Sequence, residues 1–173
     1  VDSTQDGATK YTDVKELKEK QALTDPNAYG VWLYGKVGET LYSGSTLAAA
    51  LTAYTDAVND NTPHVSPSNK TLAISAACLA DGTEVLLDQE QANMVNCLGI
   101  ATFLNMNGFR LWGNNTAAYP GNTDPKDRWF PVRRFMNWAA NSFILTYFQR
   151  VDSPTNTRLI EAIVDSENVR GNG

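Results

Sequence analysis

The dipeptide Asn107-Gly108 stands between two apolar runs, Ile100 to Met106 and Phe109 to Trp112, and it is the strongest local constraint on what this chain can fold into. Both central residues of a type I′ turn need positive φ, which Asn and Gly reach at least cost, so the pattern predicts a two-residue β-hairpin. That register pairs Met106 with Phe109 and Leu104 with Leu111 on one face. The other face then sets Asn105 opposite Arg110 and Phe103 opposite Trp112. Apolar side chains on both faces require cover on both sides, and Arg110 requires a carboxylate or carbonyl partner.

Periodicity places further elements around this hairpin. Tyr29 to Tyr34 is rich in β-branched and aromatic residues and reads as a strand, followed after Gly35 and Gly38 by a shorter strand at Thr40 to Tyr42. Ser45 is positioned as N-cap of a helix whose Leu47, Leu51, Tyr54 and Val58 share one face. Thr71 to Leu79 is an apolar run suited to a buried strand. Asp88 with Gln91 three residues on forms a capping-box start for a second helix, with Met94, Val95 and Leu98 facing inward. Pro131 to Gln149 reads as a helix more than half buried, carrying Val132, Phe135, Ala139, Phe143 and Tyr147 in one stripe. Ser153-Pro154 starts a last helix that buries Leu159, Ile160, Ile163 and Val164. The order points to an α/β fold: one layered domain with a mixed sheet, about four helices and the Asn107-Gly108 hairpin. Residues 1–24 are polar and read as a solvated surface helix or linker, and residues 25–173 as the α/β domain.

Composition narrows the function classes. The 173 residues, 42% hydrophobic and 19% charged, suit one ordinary globular domain. Fourteen Lys and Arg against nineteen Asp and Glu give a net charge of -5, the wrong sign for binding nucleic acid by counterion release. The longest apolar run, Leu72 to Ala80 with Ser75 inside it, is far below the ~20 residues of a membrane helix. Cys78 and Cys97 lie in apolar stretches and read as buried free thiols.

Reactive chemistry finds little support. A Ser-His-acid triad would have to use His64, the single imidazole, which lies in a Pro-marked loop; Ser43-Gly44-Ser45 lacks the nucleophile-elbow spacing. No phosphate-cradling glycine motif occurs, and one His with two distant Cys does not make a metal site. Asp124 and Asp127 near Trp129 could be drawn as a glycosidase pair, but such clustering is what solvated turns look like. The aromatic group Trp112, Tyr119, Trp129 and Trp138 could line a sugar site, with packing as the default reading. No catalytic, cofactor or metal residue is assigned, and no cofactor is expected.

The stretch Asn107 to Thr116 (NGFRLWGNNT) resembles the Gly-aromatic-Arg-x-Trp-Gly-Asn-Arg-Thr signature of the sheath proteins of contractile phage tails and related contractile injection machines. Upstream, the helix LAAALTAYTDAVN and the loop VSPSNK are similar to the family's Ala-rich helix and Ser/Ala-Pro-x-Asn strand entry. Downstream, RWFPVRRFMNWAANSF and PTNTRLIEAIVDSEN follow in the family's order, so the likeness runs from about Tyr29 to Val169. Asn115 departs from it, standing where the signature has Arg.

The resemblance implies a structural subunit that polymerises as stacked rings around a tail tube and contracts to drive the tube through a target cell envelope. Its implied partners are copies of itself in a six-fold helical sheath, the tail tube protein and baseplate components; its implied place is a virion tail assembled in the bacterial host cytoplasm. Gly108, Phe109, Arg110, Trp112, Gly113, Asn114 and Thr116 then carry structural roles. Gly108 permits the turn, Arg110 neutralises an acid, Trp112 fills the core, and Gly113 with Asn114 turns the chain out of the hairpin. Lys126, Asp127, Arg128, Arg133 and Arg134 form a charged edge that is the candidate subunit contact. Family members carry further strands and terminal arms, so Val1 and Gly173 resemble the borders of a fragment, expected to be monomeric or weakly associated. A carbohydrate- or receptor-binding module is the alternative, and a hydrolase a distant third.

Overall fold

The computed structural model describes residues 7–171. They form two compact units, one up to Ala139 and one from Ala140 onward.

The first unit holds two three-stranded sheets. Strand β1 (Gly30–Val31) pairs in parallel with β5 (Ile100–Asn105), which pairs antiparallel with β6 (Phe109–Trp112). In the second sheet β2 (Tyr34–Val37) lies between β3 (Thr40–Ser43) and β4 (Ala76–Cys78), all antiparallel. The expected single strand Tyr29 to Tyr34 is therefore split. Trp32 N–H still bonds Ala101 O at 2.8 Å, but Leu33, fully buried at φ 93°, turns the chain from the first sheet into the second. The run Thr71 to Leu79 is likewise only partly a ladder strand. Leu72 N–H bonds Phe109 O, Ser75 N–H bonds Lys36 O, and Leu72, Ile74 and Ala76 alternate inward.

Among the described residues the helices are α1 (Val14–Lys20), α2 (Gly44–Ala57), α3 (Gln89–Asn96), α4 (Pro125–Arg128), α5 (Phe130–Tyr147) and α6 (Thr157–Gly171), with a 3-10 turn at Phe148–Arg150. The mixed α/β class is as read, and four of these helices are of two turns or more. The segment before residue 25 is not wholly solvated: Val14 and Leu17 of α1 are buried, and Trp32 Nε1 donates to Ala8 O at 3.2 Å.

Helix α2 begins at Gly44, one residue ahead of the expected Ser45 cap. A Cβ on Gly44 would stand 2.2 Å from Leu33 O, so only glycine lets the helix approach the turn after β1 this closely. That approach rotates the buried face to Gly44, Ala48, Thr52 and Thr55, and leaves Tyr54 and Val58 exposed. The buried threonines are satisfied by their own helix, through Thr52 Oγ1 to Ala48 O at 2.6 Å and Thr55 Oγ1 to Leu51 O at 2.7 Å.

Helix α3 has the expected capping box: Asp88 Oδ1 accepts from Gln91 N–H at 2.8 Å, and the Gln91 side chain accepts from Asp88 N–H. Ala92 and Val95 are its buried residues, while Met94 is exposed. Cys78 is buried and free as read; Cys97, at the C-cap of α3, is exposed.

The C-terminal helices differ most from expectation. Only Pro131 of α5 is buried, and no residue of α6 is. Helix α6 starts at Thr157 instead of at Ser153-Pro154, because Asn156 Oδ1 accepts from Leu159 N–H at 2.9 Å and supplies the cap.

Candidate subunit-contact surface

The hairpin forms, with its register one residue from the expected one. Asn105 pairs with Phe109, Leu104 with Arg110, Phe103 with Leu111 and Thr102 with Trp112, so Met106, Asn107 and Gly108 make a three-residue loop. The local cause is Asn105, whose Oδ1 accepts from Gly108 N–H at 3.2 Å while Met106 N–H bonds Gly108 O. Asn107 and Gly108 have the positive φ read from the dipeptide, 55° and 105°. Shifting by one residue exchanges partners across the ladder, and it puts Phe109 and Leu111 of β6 in the core.

Arg110 meets carbonyls, not an acid. Its Nη1 donates to Asn69 O at 2.9 Å, and its Nε reaches Met106 O at 3.4 Å. Trp112 is partly buried against the core and donates from Nε1 to Asn93 Oδ1 at 2.9 Å. Gly113 has φ 149°, and a Cβ there would lie 2.7 Å from Ala101 Cα, so the exit from β6 passes directly over β5. Asn114 Oδ1 accepts from Ser66 Oγ at 2.6 Å, and Thr116, fully buried, donates from Oγ1 to Asp127 O at 2.5 Å.

These bonds lead from the signature into the charged edge. Thr116 N–H donates to Arg128 O and Phe130 N–H to Asn114 O, which lays residues 126–130 along the end of the signature. Asp124 caps α4 by accepting from Lys126 N–H at 3.1 Å, and this bond holds its carboxyl below the usual range. Arg128 Nε donates to Asn115 Oδ1 at 3.0 Å, with its guanidinium 4.2 Å from the ring centroids of both Tyr119 and Trp129. Arg133 pairs with Asp127 at 3.0 Å and also donates to Asn27 Oδ1. Arg134 forms a two-pronged bond with Asp56 of α2. Lys126 pairs with Asp124 at 3.2 Å, more exposed than the other two pairs.

The structure therefore brings Lys126, Asp127, Arg128, Arg133 and Arg134 together on one stretch, and most of their charge is matched within the unit. Sequence reasoning missed Asp56 as the partner of Arg134; an acid 78 residues away carries no local signal. Other candidate chemistry is dispersed. His64 is exposed in its loop, Trp138 is exposed and stacks on Phe135 at 5.8 Å between centroids, and Tyr119 and Trp129 each have a ring face covered by Arg128. No group of three or more metal-binding side chains occurs among the described residues, and no helix among them is long and apolar enough to cross a membrane.

The fold is shared with chains of two solved assemblies. It superposes on a chain of the six-fold symmetrised baseplate of the anti-feeding prophage (AFP) with a TM-score of 0.66 at 19% identity, covering 84% of this chain and 39% of that one. It superposes equally, with a TM-score of 0.66 at 20% identity, on the AFP helical sheath in its contracted state, covering 82% and 39%. By sequence, the chain is similar to a tail sheath protein of Burkholderia phage BcepMu, 40% identical over 84 residues, 46% of this chain and 17% of the phage protein. No protein-family model matches. The resemblance to tail sheath proteins carried by Asn107 to Thr116 and its flanking motifs is thus borne out, over a chain that spans well under half the length of these relatives.

Proposed function

We propose that this chain is part of a structural subunit of a contractile tail sheath. In this reading copies stack as rings with six-fold helical symmetry around a tail tube, meet baseplate components at one end, and rearrange to a shorter, wider state that drives the tube through a target envelope. The particle is a virion tail or a phage-tail-like device, assembled in the cytoplasm of a bacterial host. The role rests on shape and self-contact, so no catalytic residue or cofactor is assigned.

One observation carries the reading: a fold shared with the contracted AFP sheath coincides with 40% identity to a phage tail sheath protein. Stacked-ring polymers need one patch to fit a different patch on the next copy. The edge at Lys126, Asp127, Arg128, Arg133 and Arg134 is proposed as one such patch. Its internal ion pairs support a preset, rigid surface, which suits a unit that moves as a body between two lattice states. Of the signature residues Gly108, Phe109, Arg110, Trp112, Gly113, Asn114 and Thr116, the last two bond this edge directly, and the others are proposed to shape the hairpin that carries them.

Negative-stain electron microscopy of the parent protein co-expressed with its tube protein tests this. Striated tubes that shorten and widen on treatment are expected. Dispersed particles under all conditions, together with turnover of a sugar or peptide substrate, would overturn it.

A further inference from the structure

A groove of about 600 Å³ opens between α1 with the residues after it and the loop that follows Thr116; Lys15, Lys18, Leu23, Leu98, Ala118 and Asn122 are among its walls. Most of the lining is apolar, with one cation held in it. Lys18 Nζ donates to Leu98 O at 2.5 Å and to Tyr119 O. An ammonium carries three N–H donors, and two carbonyls use two of them.

Burial lowers the Lys18 pKa, and no neighbouring carboxylate opposes that shift. Among the described residues Lys18 enters none of the ion pairs. Glu19 and Lys15 also border the groove, and no ion pair joins them among the described residues. With two lysines and one glutamate the lining carries a net charge of +1, and Lys18 is the cation held by carbonyls at its wall. The groove's size falls in the roughly 300–1,000 Å³ range of small-molecule sites, which combine apolar walls with a few fixed polar groups.

We propose that this groove binds a small aliphatic carboxylate, its hydrocarbon part against Leu23, Leu98 and Ala118 and its carboxylate on the Lys18 ammonium. One net positive charge among apolar walls suits a monoanion with a hydrocarbon body. A phosphate would bring more charge than this lining matches and no apolar part to cover the walls. This goes beyond the sheath reading and does not depend on it.

Backbone amide NMR with sodium hexanoate as the probe, and 1-hexanol as its uncharged counterpart, tests the site. Saturable shifts are expected at Leu98, Ala118 and Gly121, with hexanol at least about tenfold weaker. Lys18→Met should abolish the hexanoate response. Because Lys18 also ties α1 to two carbonyls, Thr24→Trp serves as a second variant, filling the groove while leaving those bonds in place, and should also abolish it. Absence of saturable shifts, shifts centred elsewhere, equal response to hexanol, or undiminished binding in either folded variant would overturn the proposal.

Discussion

The guanidinium of Arg128 is bonded through Nε to the amide oxygen of Asn115 at 3.0 Å, so a cation lies beside the position where the sheath signature carries its second arginine. Asn115 in turn donates from Nδ2 to Asn96 O at 3.1 Å, which links the charged edge to the C-terminal end of α3. Arg128 is fixed by this bond and by its contacts with the Tyr119 and Trp129 rings. An arginine at 115 would place two guanidinium groups in one space.

Asn115→Arg is accordingly expected to destabilise the fold by about 2 kcal/mol, from lost hydrogen bonds and like-charge contact. Arg128→Ala alone should cost a similar amount, about 2 kcal/mol, through the hydrogen bond and the cation–π contacts. The double variant should be less than additive, because the new arginine no longer meets a like charge. Urea unfolding in a double-mutant cycle checks this, and simple additivity would show that the two positions do not share one cation site.

Asp56 and Arg134 join α2 to α5 by a two-pronged ion pair whose side chains are 19% and 26% exposed. Charge-assisted hydrogen bonds in partly buried sites are worth about 1.5–3 kcal/mol, so Asp56→Ala should lower unfolding stability by about 2 kcal/mol. Arg134→Ala should cost no more than that, and the pair together little beyond either single change. Lys126→Ala, which breaks the exposed pair with Asp124, should cost well under 1 kcal/mol. Denaturant melts of the four variants separate a fastening contact from a solvated one.

Local chemistry was legible where a side chain acts on its own backbone neighbours. The Asp88–Gln91 box and the positive φ of Asn107 and Gly108 fall where their residue types place them. The hairpin register slipped because Asn105, read only as a strand residue, also closes the turn. Long-range choices were not legible: the stripe of α5 announces a face, and nothing in a periodicity says what covers it, so Phe135 and Phe143 are exposed where burial was expected. The same holds for α2, whose Gly44 contact with Leu33 O sets its rotation. The partners of Arg110, Arg128 and Arg134 come from 41, 13 and 78 residues away, beyond the reach of any local pattern.

Gly113 and Gly108 separate two reasons for glycine. Both have positive φ, but a Cβ on Gly113 would sit 2.7 Å from Ala101 Cα and Cβ, whereas nothing lies within 4 Å of one on Gly108. Gly108→Ala should therefore cost only conformational strain, about 1–2 kcal/mol. Gly113→Ala adds a backbone collision between the exit of β6 and β5 and should cost about 4 kcal/mol or leave the protein unfolded. Thermal melts of both variants rank them, and equal losses would mean that the approach to Ala101 relaxes freely.

Tyr29 gives the fold a pH dependence on the alkaline side. Its hydroxyl donates to Gly113 O at 2.7 Å and its ring stacks on Phe130 at 4.1 Å between centroids, so burial raises its pKa well above the ordinary 10.0. Above pH 10 the unfolded chain releases this proton while the folded chain keeps it. The unfolded state then binds fewer protons, and stability falls as pH rises, by up to about 1.4 kcal/mol per pH unit until the folded pKa is reached. Lys18 works the other way: its lowered pKa makes stability rise between the folded value and the ordinary 10.5. The difference between the native chain and Tyr29→Phe isolates the tyrosine. At neutral pH the variant should be about 1 kcal/mol less stable through the lost hydrogen bond. The gap should close and then reverse as pH rises beyond 10, read by urea unfolding from neutral pH upward. Parallel stability curves for the two proteins would show that Tyr29 ionises in the fold as easily as in water.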